Sequence, residues 1–145
     1  MTEFRKIDDN FYVAPQITVE DVARAAAMGF RTLMANRPDH EEPGQVPMAD
    51  IEAAAKAQGL AWVFLPVQSG NITDADVDRF APELQQAEKP LLAFCRSGTR
   101  CSVLWALASA RTQPADAVLI RTLNAGYDLG ALRPRLAYQA QLGQD

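Results

Sequence analysis

The stretch Lys89–Cys101, "KPLLAFCRSGTRC", runs from four unbroken apolar residues, Leu91 to Phe94, straight into a loop of cationic, hydroxyl and glycine residues. A short apolar run with no polar alternation is what a strand covered on both faces needs, the condition of a parallel sheet between helices. The segment after the loop, "SVLWALASAR" (102–111), is apolar around most of a helical circumference and predicts a buried helix. Residues 89–111 therefore read as strand, tight loop, helix, with Cys95 at the strand's carboxyl end. Active sites of open α/β sheets gather at that edge.

Working outward, the same alternation repeats. "FYVAPQ" (11–16) reads as a strand, and Thr18 with Asp21 resembles a capping box opening the helix "VEDVARAAAMG", which Gly29 stops. "FRTLMAN" (30–36) is a strand and "RPDHEEPGQVP" (37–47) a loop. The helix "MADIEAAAKAQG" (48–59) and the strand "LAWVFLPV" (60–67) follow. Thr73 and Asp76 cap a further helix over 74–89, in which Pro82 predicts a kink or a later start. Beyond the buried helix, "PADAVLIRTLNAG" (114–126) and a last helix from about Ala131 to Leu142 complete the chain. Strands alternating with helices of about ten residues predict one α/β domain over 1–145, a small, mainly parallel sheet of about four strands flanked by helices.

Composition narrows the function. The chain has 145 residues and a net charge of −4, which lacks the basic excess of a nucleic-acid binder. Its start, "MTEFRKIDDN", has no apolar core of a signal peptide, and its longest nearly apolar run, "GLAWVFLPV", is far below the roughly 18 residues that span a membrane. These features predict a cytoplasmic protein with no membrane or nucleic-acid partner. Two cysteines and one histidine are too few for a structural zinc site, so neither metal nor cofactor is expected.

The chemistry is concentrated in the loop. Successive backbone N–H groups at a helix N-terminus can cradle an anion, Gly98 permits the wrap, and Arg100 can place a planar fork on two oxygens. The same positive field favours a thiolate at Cys95, since cysteines in such positions have pKa values lowered to roughly 3.5–7.5. Cys95 and Arg100 are therefore the expected catalytic pair, with Arg96, Ser97, Gly98, Thr99, Cys101 and Ser102 around the substrate. The loop 37–47 should share the sheet edge. It offers Arg37 for substrate or for loop anchoring, Asp39 as an acid, and His40, more at home on the surface. Cys101 reads either as a resolving thiol or as a small buried residue. Ser102 bonds the sulfur or caps the helix.

The segment Cys95-Arg96-Ser97-Gly98-Thr99-Arg100 resembles the active loops of two enzyme groups, the cysteine-dependent tyrosine and dual-specificity phosphatases and the rhodanese sulfurtransferases. As a whole the chain is similar to the phosphatase-like domain family of beta-lactamase-hydrolase-like proteins, through "NFYVAPQIT", "NRPDHEEPGQ", "FLPV" and "KPLLAFCRSGTR". The resemblance implies a cysteine-phosphatase-like fold and a hydrolase in which Cys95 attacks a phosphate ester of a small molecule or phosphoprotein. Two departures stand beside it. Four residues, not five, separate Cys95 from Arg100, and Cys101 takes the position of the phosphatase arginine. The shorter spacing fits a rhodanese-like enzyme forming a Cys95 persulfide. A non-catalytic module that binds an anion or persulfide is the third reading.

Overall fold

A computed structural model describes residues 1–144. Five strands, β1 (Arg5–Asp8), β2 (Phe11–Ala14), β3 (Thr32–Ala35), β4 (Ala61–Phe64) and β5 (Leu91–Phe94), form one sheet in the order β1-β2-β5-β3-β4. Only β1 is antiparallel, hairpinned onto β2. The sheet thus has one strand more than the sequence predicts. "RKID" carries one apolar residue in four, because β1 is an edge strand that buries only Ile7.

The apolar run 91–94 is the centre of the sheet. Leu91 to Phe94 pair in parallel register with Phe11 to Ala14 on one side and with Thr32 to Ala35 on the other. Side chains alternate between the two faces. Leu91 and Ala93 join a core with α3 (Asp74–Gln86), α4 (Thr99–Ser109), α5 (Ala115–Asn124) and α6 (Arg133–Gln144). Leu92 and Phe94 join a second core with α1 (Val19–Ala27) and α2 (Met48–Ala57). All four are fully buried, and truncating Phe94 to alanine costs about 3–5 kcal/mol by the usual scale for core aromatics.

The helix boundaries follow their local signals. Both capping boxes form: Thr18 and Thr73 accept the amides of Asp21 and Asp76, whose carboxylates accept the Thr amides in return. Gly29, past the end of α1, has φ 98°, where a side chain would be strained. α3 starts at Asp74 and continues through Pro82 to Gln86, so the proline neither delays nor ends it. The last helix is preceded by a 3-10 turn, Gly130–Leu132. No helix among the described residues is long and apolar enough to cross a membrane.

Three strands in register deliver their carboxyl ends to one edge. The Cys95 amide donates to the Ala14 carbonyl at 3.3 Å, and the Asn36 amide to the Phe94 carbonyl at 2.9 Å. The loops after β2, β3 and β5 are thereby stitched side by side, and the loop after β4 is joined by the Val67 amide on the Asn36 carbonyl at 3.2 Å.

Candidate active site

Cys95 leaves the sheet directly below the N-terminus of α4. Gly98 is the residue before the helix, at φ 92°. The positive φ is one demand for glycine, and Tyr127 is a second. A Cβ on Gly98 would lie 2.1 Å from the Tyr127 hydroxyl, which donates to the Ser97 carbonyl at 3.0 Å. Burial holds the Tyr127 phenol up at about 12, so it stays a donor. Ser102, fully buried, donates its hydroxyl back to the Gly98 carbonyl at 2.9 Å, which settles its role as a tie on the first turn.

With the turn fixed, amides converge on the sulfur. The Gly98 amide donates to Cys95 Sγ at 3.1 Å. The Cys95 thiol is held down at about 6, first by a hydrogen bond from the Cys101 side chain, opposed by burial, and further by the amides of Cys101, Ser97 and Gly98. Cys101, fully buried, is pushed well above the ordinary thiol range by burial and by that same contact. The two shifts run in opposite directions and favour the proton on Cys101 and the negative charge on Cys95. The thiolate is the nucleophilic form of cysteine.

Arg100 is gripped on one side only. Its Nη1 and Nη2 meet the two Glu41 oxygens at 2.9 and 2.8 Å, and Nη1 also donates to the Val67 carbonyl at 3.0 Å. A guanidinium has five donors. Three are committed, and the Nε–H and the remaining Nη2–H, which share one edge of the fork, bond nothing among the described residues. Such an edge is the geometry for two oxygens of an oxyanion. Glu41 is held below the ordinary carboxylate range, chiefly by its hydrogen bond from Arg100 against some burial, and further by Arg37.

The loop borders a cleft of about 1000 Å³, although the Cys95 side chain is itself buried and is not among the lining residues. Arg96, Ser97, Thr99 and Arg100 line it from the loop, together with Glu41. Ser69 to Ile72 line it from the segment after β4, and Val103, Leu132 and Arg135 from the helices. Ser97 and Thr99 are also joined hydroxyl to hydroxyl at 3.0 Å.

Several expected residues stand outside the cleft lining, among them Gly98 and the fully buried Cys101 and Ser102. Asp39, expected as an acid, does not line this cleft. Its Oδ1 accepts the Met48 amide at 2.8 Å, capping α2 where Pro47 offers no side-chain acceptor. Arg37, expected near the substrate, is fully buried behind the site. Its Nε, Nη1 and Nη2 are held by Glu41, Gln16 and Glu42 at 2.7, 2.8 and 2.9 Å. Its role is the anchoring one, since Gln16 also donates its amide to the Arg96 carbonyl. His40 is exposed. Glu41, Tyr127 and Arg135 carried no role in the sequence reading. The first two act on partners 59 and 30 residues away, a separation no local motif reports. Among the described residues no three His, Cys, Asp or Glu side chains gather as a metal set would.

A five-stranded, mostly parallel sheet with a cysteine and a helix N-terminus at its central carboxyl edge is the architecture of the cysteine-phosphatase class. Kinase associated phosphatase shares it at 11% identity, with a TM-score of 0.73 over 99% of this chain and 94% of that one, a likeness of fold alone. The chain belongs to the family of the phosphatase-like domain of beta-lactamase hydrolase-like proteins, whose model matches residues 3–112. A beta-lactamase hydrolase-like protein of Agrobacterium fabrum is 36% identical over 105 residues, 72% of this chain. That match covers 24% of the relative, so the chain spans about a quarter of its length. A protein of Neisseria meningitidis, provisionally described as a phosphatase, is 37% identical with a TM-score of 0.82, covering 93% of this chain and 96% of that one.

Proposed function

We propose that the chain is a cysteine-dependent hydrolase of phosphate monoesters or similar small oxyanions. The observation that carries this reading is the uncommitted edge of Arg100, a residue lining the cleft, on the same loop as the buried, amide-lined Cys95 sulfur. In this mechanism the loop amides and Arg100 hold the equatorial oxygens, and the thiolate attacks phosphorus in line with the ester oxygen. The P–O bond breaks as the S–P bond forms, and water then hydrolyses the phosphocysteine. Charge spread over the oxygens in the transition state meets donors already in place. The family and the fold favour a hydrolase in general terms.

A second reading, sulfur transfer, is favoured by one specific feature. Glu41, the only carboxylate lining the cleft among the described residues, is paired with two arginines that favour its ionised form, which makes it a poor proton donor to a leaving alkoxide. A sulfane donor such as thiosulfate needs no such acid. Cys95 takes its outer sulfur as a persulfide and sulfite leaves as an anion.

Aryl phosphate and thiosulfate with cyanide, given separately to wild type and to Cys95→Ser, decide between them. Phosphate release lost in the variant supports the hydrolase. Thiocyanate formation with no turnover of any phosphate ester between pH 5 and 8 would overturn it in favour of sulfur transfer.

A further inference from the structure

The cleft is much larger than the group that Cys95 attacks. A phosphate or sulfonate head fills on the order of 100 Å³, a few water volumes, against about 1000 Å³ here. The remainder is chemically divided. Ile72, Val103 and Leu132 give it an apolar wall, and Arg135 on α6 supplies a third cation, after Arg96 and Arg100, from outside the Cys95 loop. Arg135 is placed by a chain of contacts across α3 and α6. Its Nη2 donates to Asp74 Oδ1 at 3.1 Å, which also accepts from the buried Gln139 at 3.3 Å. Gln139 in turn accepts from Arg111 Nε at 2.8 Å. A single bond to one carboxylate oxygen leaves most of the Arg135 donors without a partner among the described residues, and the side chain, 38% exposed, lines the cleft. The residue also lies beyond the 3–112 span of the family model.

We propose that Arg135 reads a carboxylate on the substrate, whose reacting oxyanion lies over the Cys95 loop and whose apolar middle lies against Ile72, Val103 and Leu132. The substrate class is therefore an organic monoester with an apolar body and a remote carboxylate. A carboxylate fits better than a second phosphate, because Asp74 already balances the Arg135 charge and repels a dianion more than a monoanion. This rests on the Cys95 loop being the oxyanion subsite. Arg135 is in this sense a specificity residue, remote from the bond that breaks.

The test compares phenyl phosphate with 3- and 4-carboxyphenyl phosphate in turnover, and benzylphosphonate with its 3- and 4-carboxy analogues in calorimetric binding. Wild type is expected to favour a carboxylated probe about 5–10-fold, the usual worth of a partly exposed charge-assisted hydrogen bond. Arg135→Gln should erase that preference, Arg135→Lys should keep part of it, and Asp74→Asn should enlarge it. An equal preference in wild type and Arg135→Gln overturns the proposal, as does weaker handling of both probe types in the same proportion. Failure of the hydrolase reading looks different. Neither ester would turn over, while an Arg135-dependent preference among the phosphonates would still uphold the cleft assignment. If no phosphonate binds at all, the assignment of the cleft falls too.

Discussion

Arg100 and Glu41, 59 residues apart in sequence, meet end-on, with both terminal nitrogens of the guanidinium on both oxygens of the carboxylate at 2.9 and 2.8 Å. The pairing fixes the plane of the fork and leaves its other edge without a partner among the described residues. The same carboxylate also accepts Arg37 Nε at 2.7 Å, so one side chain bridges two nearly buried cations, with Glu42 supplying the second negative charge on Arg37.

Glu41→Gln is therefore expected to destabilise the protein by about 2–4 kcal/mol, below the range for fully buried pairs because Glu41 is a quarter exposed. Chemical denaturation measures this. The pH dependence follows from the direction of the shift. A carboxyl held below its unfolded value of 4.5 contributes stability that is present above that value and lost as pH falls through the lowered one. Acid unfolding of wild type should show this loss, and Glu41→Gln should lack its share of it.

Gly98→Ala meets two obstacles, a φ of 92° and a Cβ 2.1 Å from the Tyr127 hydroxyl. We expect a loss of about 1–3 kcal/mol from backbone strain, with activity reduced by the displaced amide on Cys95. Tyr127→Phe in the same chain removes the clashing oxygen and leaves the φ strain. Partial recovery in the double variant, read by thermal melting and turnover, separates the two causes.

How much of this was legible beforehand differs between the sheet edge and the site. The run Leu91–Phe94 and the Gly98 turn announce themselves because each is a local demand, one for a strand covered on both faces and one for a left-handed residue. β1 was missed because an edge strand with one buried side chain has no apolar pattern to read. Asp39 and Arg37 were placed near the substrate on the strength of their loop, which does reach the site, but through Glu41. Sequence locates the loop at the correct edge, while the choice of which side chain turns inward is made by partners such as Gln16, Met48 and Arg100 that lie in other segments.

Cys101 donates to Cys95, and that contact is the first cause of the low Cys95 pKa. Cys101→Ala should move the midpoint of Cys95 alkylation by iodoacetamide up from about 6 toward the ordinary thiol value of 9.0, while Cys101→Ser, which keeps a donor, should move it less.

Stability should also respond to the Cys95 charge. Its folded pKa lies below the unfolded value of 9.0, so the contribution is complete above that value and lost as pH falls toward about 6. Between those limits wild type should gain roughly 1 kcal/mol per pH unit relative to Cys95→Ser, following the linkage slope for one proton. Urea titrations at several pH values measure the difference.

The central claim is that the Cys95 thiolate attacks phosphorus. Rapid acid quench of wild type with a fast-leaving aryl phosphate, followed by mass analysis of the peptide carrying Cys95, reads that bond directly. The account predicts a phosphoryl group on Cys95 that forms before steady state and is absent from Cys95→Ser. An unmodified Cys95 under turnover, or a sulfur adduct from thiosulfate with none from the phosphate ester, would contradict it.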